Sequence, residues 1–291
     1  MSGNPKSAEK RHDASSNAPG MLAEWQRSRL RTIHATRSCY AEGRDDVTIL
    51  AYHFWGNEGY DEAFRRVECA VRETWLHCGM MKTVLVVNRV RECVRVFAEK
   101  FTCVSVQEEK TLEPGRIFTM SVDCNCKLHT RFSSPYVLIV QNDGFPLRPG
   151  LDGFVGKYDF IGAPYVRDVW WKQTICRVMN CKVQNGGFSL RSHEVCEMAA
   201  FYWDKYEMMG DVTNASEDIF YTRFLPLHER AFRKKMKFAD YGESRRFSHD
   251  AIVPIECPAE QPFGFHGEKA FCELARKFKP ELPMEYDNGK I

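Results

Sequence analysis

Four places in this sequence carry side chains that could act on a charged ligand. The first is Asp143, in the stretch YVLIVQNDG (136–144), where an apolar run stops in two amides and a carboxylate. A carboxylate at the end of a strand can hold a divalent cation through oxygen. Such a cation would neutralise a phosphorylated leaving group, and Gly144 allows close backbone approach. Asp-Gly is equally an ordinary turn pair. The second is Gly186-Gly187, read as a flexible turn before a helix, where absent side chains leave room for a sugar. Ser189, Arg191 and Ser192 follow with donors suited to hydroxyls or phosphate. The third is Glu217-Asp218. Acids in a first helical turn answer the helix dipole, or one of them takes a proton from an attacking hydroxyl. The fourth is His266, between Phe265 and Gly267. It is either a structural imidazole or one that completes a metal site with a distant carboxylate.

The elements that position these residues follow from hydrophobic patterning. Strands are expected at 47–54, 82–88, 102–106 and 136–140, all β-branched and apolar. Between them lie helices: one capped by Asp61 with Phe64, Val67, Val71 and Trp75 on one face, one over 89–100 and one over 116–131. This alternation predicts an α/β fold with a single, Rossmann-like, mostly parallel sheet flanked by helices. Ligands in such sheets bind beyond the carboxyl ends of the strands, where Asp143 falls. Further helices are expected at 193–209 and from Ser216, and a short one to Lys277. The chain divides into a disordered leader (1–20), a basic helical extension (21–46), one domain over 47–277 with halves 47–150 and 151–277, and a polar tail (278–291).

The bulk properties exclude several classes. With 291 residues, 44% hydrophobic and 27% charged, the composition is that of a globular protein. A formal charge of +2 gives no basis for nucleic-acid binding. No apolar run is long enough to span a membrane, and the polar N-terminus lacks a signal core, so a cytoplasmic location is expected. Twelve cysteines are then read as reduced thiols, and neither Cys124/Cys126 nor Cys176/Cys181 has zinc spacing. The basic run Arg230, Arg233, Lys234, Lys235 and Lys237 is a solvated helix face, or else a contact for an acidic glycan or a peripheral membrane surface. No Walker loop, GxGxxG or GxSxG occurs.

In order along the chain, QNDGF (141–145), YDFIGAPYV (158–166), NGGFSLRS (185–192), SEDIF (216–220) and PFGFHG (262–267) resemble the motifs of an uncharacterised glycosyltransferase-like family. That family is similar to nucleotide-sugar glycosyltransferases of the GT-A fold. The resemblance implies a GT-A-like domain with a donor half and an acceptor half. It implies that Asp143 touches metal and donor diphosphate and that His266 completes the metal site. Gly186 and Gly187 would border the donor sugar, with Asn142, Arg191 and His53, at the end of the first strand, also on the donor. Asp218, or its neighbour Glu217, would be the catalytic base. The cofactor implied is Mn2+ or Mg2+, and the partners are a nucleotide-sugar donor, taken as a UDP-sugar, and a glycan or other hydroxyl acceptor. The sequence departs from the pattern at Gln141, an amide where the first acid stands, at Tyr165 for tryptophan, and at Gln184 for glycine. A nucleotide-sugar hydrolase, a nucleotidyltransferase and a non-catalytic binding module are the alternatives.

Overall fold

The computed structural model describes residues 20–32, 40–164, 184–208, 216–251 and 257–278. The leader up to residue 19, Tyr165, the aromatic segment with Cys176 and Cys181, and the tail beyond Phe278 lie outside the described residues.

The expected strands form. β1 (Val47–His53), β2 (Thr83–Val87), β3 (Val104–Glu108) and β4 (Tyr136–Val140) join β6 (Phe160–Pro164) and β7 (Gln184–Ser192) in one sheet of order β3-β2-β1-β4-β7-β6. The pairs β3–β2, β2–β1 and β1–β4 are parallel, and β4–β7 and β7–β6 antiparallel. Every residue of β1 and β2 is buried, as strands covered on both faces must be. The chain is thus α/β with a mostly parallel sheet between helices, as the alternation predicts.

The connecting helices are α1 (Met21–Thr32), α2 (Tyr60–Cys78), α3 (Glu92–Lys100), α4 (Ile117–Cys126) and α5 (His193–Glu207). Phe64, Val67, Val71 and Trp75 are all buried on α2, at the spacing that defines one helix face. Its cap is Gly59 at φ 71° rather than Asp61, because the chain enters in a left-handed conformation that costs glycine nothing. The helix expected over 116–131 stops at Cys126 and is followed by a 3-10 turn, Leu128–Thr130. Ser192 caps α5, its hydroxyl accepting from the Val195 amide at 3.1 Å. α1 joins the core: Leu22 and Trp25 are buried in the same cluster as Ile49, Leu138 and Phe145.

A second, smaller sheet that patterning did not predict joins the segment after β4 to the C-terminal part. β5 (Gly144–Pro146), β9 (Gly264–His266) and β8 (Ser248–Asp250) pair in the order β5-β9-β8. Three-residue strands are too short to show a period. The helical segments α6 (Glu217–Ile219), α7 (Leu225–His228), α8 (Arg230–Lys235) and α9 (Tyr241–Phe247) lie between β7 and β8, and α10 (Glu268–Phe278) follows β9. Among the described residues no helix is long and apolar enough to cross a membrane, and Cys124 and Cys126 are free thiols.

Candidate functional site

The strand β4 runs directly into a two-residue hairpin. The Gln141 amide donates to the Gly144 carbonyl (2.9 Å) and the Gly144 amide to that of Gln141 (3.1 Å), leaving Asn142 and Asp143 at the tip. The chain then becomes β5, and register does the rest. Gly144 lies opposite His266 across β5–β9, and Asp250 lies opposite His266 across β8–β9. Three residues distant in sequence therefore meet beyond the carboxyl end of the parallel strands. His266 Nε2 is 3.9 Å from Asp143 Oδ1 and 3.3 Å from Gln141 Oε1, and Nδ1 is 3.2 Å from Asp250 Oδ2.

Asp250 is buried and, ionised, can only accept, so Nδ1 carries a proton. Nε2 also faces oxygen acceptors. Burial alone would lower the pKa of His266. The hydrogen bond to Asp250 and the charges of Asp143, Asp250 and Glu217 outweigh it and raise the pKa above the ordinary histidine value. The pocket at Nε2 is thus built for a positive charge, a proton or a metal cation.

Among the described residues no set of three His, Cys, Asp or Glu side chains is arranged to hold a metal. The pair that does converge still fits one ion. Ligands about 2.1 Å from a single cation stand roughly 3 to 4.2 Å from each other, and Asp143 Oδ1 and His266 Nε2 fall within that range. Asp250 behind Nδ1 is the usual carboxylate support of a ligating histidine. The protein would supply Asp143, His266 and the neutral oxygen of Gln141, with water or a diphosphate completing the shell.

Gly186 and Gly187 are not a turn before a helix. Both lie inside β7, buried, and neither has a positive φ. What they supply is space. A Cβ on Gly187 would stand 2.0 Å from His266 Nε2, and one on Gly186 would stand 2.3 Å from Glu217 Oε1 and 2.7 Å from an Arg191 guanidinium nitrogen. This one dipeptide therefore keeps space for the imidazole at Gly187 and for the Glu217 carboxylate at Gly186. The contacts put Glu217 Oε1 and His266 Nε2 no more than about 11 Å apart.

The two acids have different surroundings. Glu217 is 5% exposed, accepts from Ser121 Oγ at 2.9 Å and faces Arg191 at 3.5 Å. Asp218 Oδ1 accepts from Ser216 Oγ (2.6 Å) and the Ile219 amide (2.7 Å), which leaves Oδ2 to take a proton. Burial and the neighbouring Glu217 charge push the Asp218 carboxyl up to about 6. A π-helical segment, Phe220–Phe224, follows at once; such turns often mark functional positions.

Arg191 is fully buried. Nε donates to Ser189 Oγ (3.1 Å), and the guanidinium lies 5.0 Å from the ring centres of Phe160 and Tyr221. It stands behind Glu217 rather than at an open surface. His53 is likewise turned inward: its ring packs edge-on to Tyr60 at 4.3 Å and near Phe64, and burial lowers its pKa to about 4, so it is neutral. Asn142 takes the first tip position of the hairpin, its backbone carbonyl accepting from Gln26 Nε2 at 2.6 Å. Gln184, which departs from the motif, is buried and bridges a bulge, accepting from the Gly162 amide (2.8 Å) and donating to the Ala239 carbonyl (3.0 Å). Sequence reasoning missed Asp250, Ser121 and Gln26. Asp250 sits in an unremarkable Ser-His-Asp run (248–250), and no local signal links it to residue 266.

The chain belongs to the family described as protein of unknown function (DUF5672), whose model matches residues 120–266 and so includes Gln141, Asp143, Glu217, Asp250 and His266. No curated protein sequence matches the chain. Solved structures similar to it include these three. One is the mannosyltransferase PcManGT from Pyrobaculum calidifontis in complex with GDP-Man and Mn2+. It is 12% identical, with a TM-score of 0.37, over 75% of this chain and 66% of that one. This chain therefore spans just under two thirds of the mannosyltransferase. Another is core-mannan synthase A from Aspergillus fumigatus in its Mn/GDP form, 8% identical, TM-score 0.41, covering 70% and 74%. The third is glucosyl-3-phosphoglycerate synthase from Mycobacterium tuberculosis with Mn2+, UDP and glucosyl-3-phosphoglycerate, 11% identical, TM-score 0.33, covering 68% and 74%. Identities this low do not carry residue roles from one chain to another.

Proposed function

We propose that this protein transfers a sugar from a nucleotide-sugar donor, a UDP-sugar, to a hydroxyl acceptor with inversion. The observation that carries this reading is the meeting of Asp143 and His266, 3.9 Å apart, beyond the carboxyl end of β4, with Glu217, the neighbour of Asp218, against Gly186. The motif resemblance agrees with it. Asp143 and His266, with Gln141, would hold a divalent cation, which when bound supplies positive charge to the departing diphosphate. Asp250 keeps the His266 ring oriented. Asp218 Oδ2 takes the acceptor proton, and a carboxyl raised to about 6 is well matched to that task near neutral pH. Arg191 serves indirectly, fixing the Glu217 carboxylate beside that base. A single displacement by the deprotonated hydroxyl inverts the sugar centre.

The test is a panel of nucleotide sugars with MnCl2 and a mixture of hydroxyl acceptors, with product analysis and thermal shift. Wild type is expected to form an inverted glycoside. Asp218→Asn is expected to lose transfer while a donor at 100 times its Kd still adds about 2.7 kcal/mol of apparent stability. Transfer at the wild-type rate in Asp218→Asn rules out the base, and free sugar without glycoside makes the protein a hydrolase. A non-catalytic nucleotide- or glycan-binding module is the second reading, favoured by the amide at Gln141. Stabilisation by donor with no turnover would select it.

A further inference from the structure

The hairpin that carries Asp143 has two tip carbonyls, and each is held from outside the hairpin. The Asp143 carbonyl accepts from the Gly267 amide at 2.7 Å, just past β9. The Asn142 carbonyl accepts from Gln26 Nε2 at 2.6 Å, on α1. Gln26 is fully buried, and its orientation is unambiguous. Its Oε1 accepts from Arg66 Nε at 2.8 Å, and an arginine only donates, so the NH2 group must face Asn142. The neighbouring Trp25 stacks on Phe145, the residue after Gly144, with ring centres 5.9 Å apart and planes at 17°. Arg29 ties the far end of α1 to Glu73 of α2 at 2.5 Å. This helix lies outside residues 120–266, the part the family model matches.

We infer that α1 is a working part of the site and that Gln26 is a positioning residue for Asp143. A hydrogen bond to a buried carbonyl is costly to lose because the acceptor is left unsatisfied. Without Gln26 the Asn142 carbonyl loses this partner, the tip carbonyls keep the Gly267 anchor alone among the described residues, and the Asp143 carboxylate is free to swing relative to His266. The functional unit then begins at α1, not at β1. Only the catalytic consequence of this inference rests on the transferase reading.

The experiment measures amide hydrogen exchange in the full chain at Gly144 and Gly267, whose N–H groups close the hairpin and its anchor. Two variants are compared with wild type. Gln26→Leu removes donor and acceptor. Gln26→Glu keeps the shape and the Arg66 pairing but offers Asn142 no donor. Both are expected to speed exchange at those two amides by about tenfold or more, with β2 and β3 amides unchanged. If Gln26→Leu fails to fold, Gln26→Glu decides alone. Unchanged exchange at Gly144 and Gly267, or equal acceleration everywhere, overturns the inference. Manganese titration by EPR in the presence of UDP gives the second readout. The apparent affinity should fall about tenfold in Gln26→Glu and stay unchanged in Arg27→Ala, a surface change on the same helix. If wild type retains no manganese, the transferase reading fails while the exchange data still decide the role of Gln26.

Discussion

Replacing Gly187 by alanine tests the site most directly, because the clash can be read from the structure. The added Cβ would stand 2.0 Å from His266 Nε2, 2.4 Å from Cδ2 and 2.7 Å from Cε1, whereas ordinary contact begins at 3.4 Å. The imidazole would have to retreat by about 1.4 Å, and a misplacement of that order costs on the order of 10²-fold in a positioned site. There is little room for retreat. Nδ1 is tied to the buried Asp250, and the Cδ2 edge already packs against Gly144. Overpacking of this kind costs about 1–3 kcal/mol, which for a chain of this size lowers Tm by roughly 2–4 °C per kcal/mol. Calorimetry, manganese titration with UDP and the transfer rate should therefore all change together. Gly153→Ala is the control, since a Cβ there meets nothing within 4 Å. If Gly187→Ala kept the Tm, manganese affinity and rate of wild type, His266 could not stand against Gly187 in the working site.

Four further predictions rest on the same geometry. Asp250→Asn leaves the fold intact but removes the carboxylate that orients His266, so apparent manganese affinity should drop about 10- to 100-fold by EPR titration. The pH–rate profile should fall about tenfold per unit below a break near 6, because Asp218 must be ionised to act as base. The stability linkage has the opposite sense. A carboxyl whose folded pKa is raised contributes stability below its ordinary pKa and loses it as pH rises through about 6. Asp218→Asn, whose amide oxygen keeps both hydrogen bonds, should then melt no lower than wild type at pH 8. Glu217→Gln strands the fully buried Arg191 charge and should cost roughly 3 kcal/mol in urea unfolding, within the range for breaking buried pairs.

β6 and β7 were not expected as strands, but β1 to β4 were legible as apolar, β-branched runs, and so was α2, which repeats its apolar residues at helical spacing. Those patterns act within a few neighbouring residues. Asp143 and His266 were also legible as chemistry, as residue types in unusual company. The role of the two glycines was not. Gly186-Gly187 reads locally as a flexible turn, yet it is strand backbone kept bare so that an imidazole and a carboxylate can come close. Asp61 was mistaken for a cap because the left-handed entry at Gly59 leaves no trace in residue type beyond the glycine itself.

By itself, then, the sequence determined the α/β class, the parallel strands and which side chains were worth watching, since backbone preference and burial pattern are written residue by residue. Only the tertiary structure decided that β5, β8 and β9 pair, that Asp250 backs His266, and that Gln26 holds the Asp143 hairpin. Those are contacts between segments far apart in the chain. Their register is set by how whole layers pack, and no window of neighbouring residues contains that information.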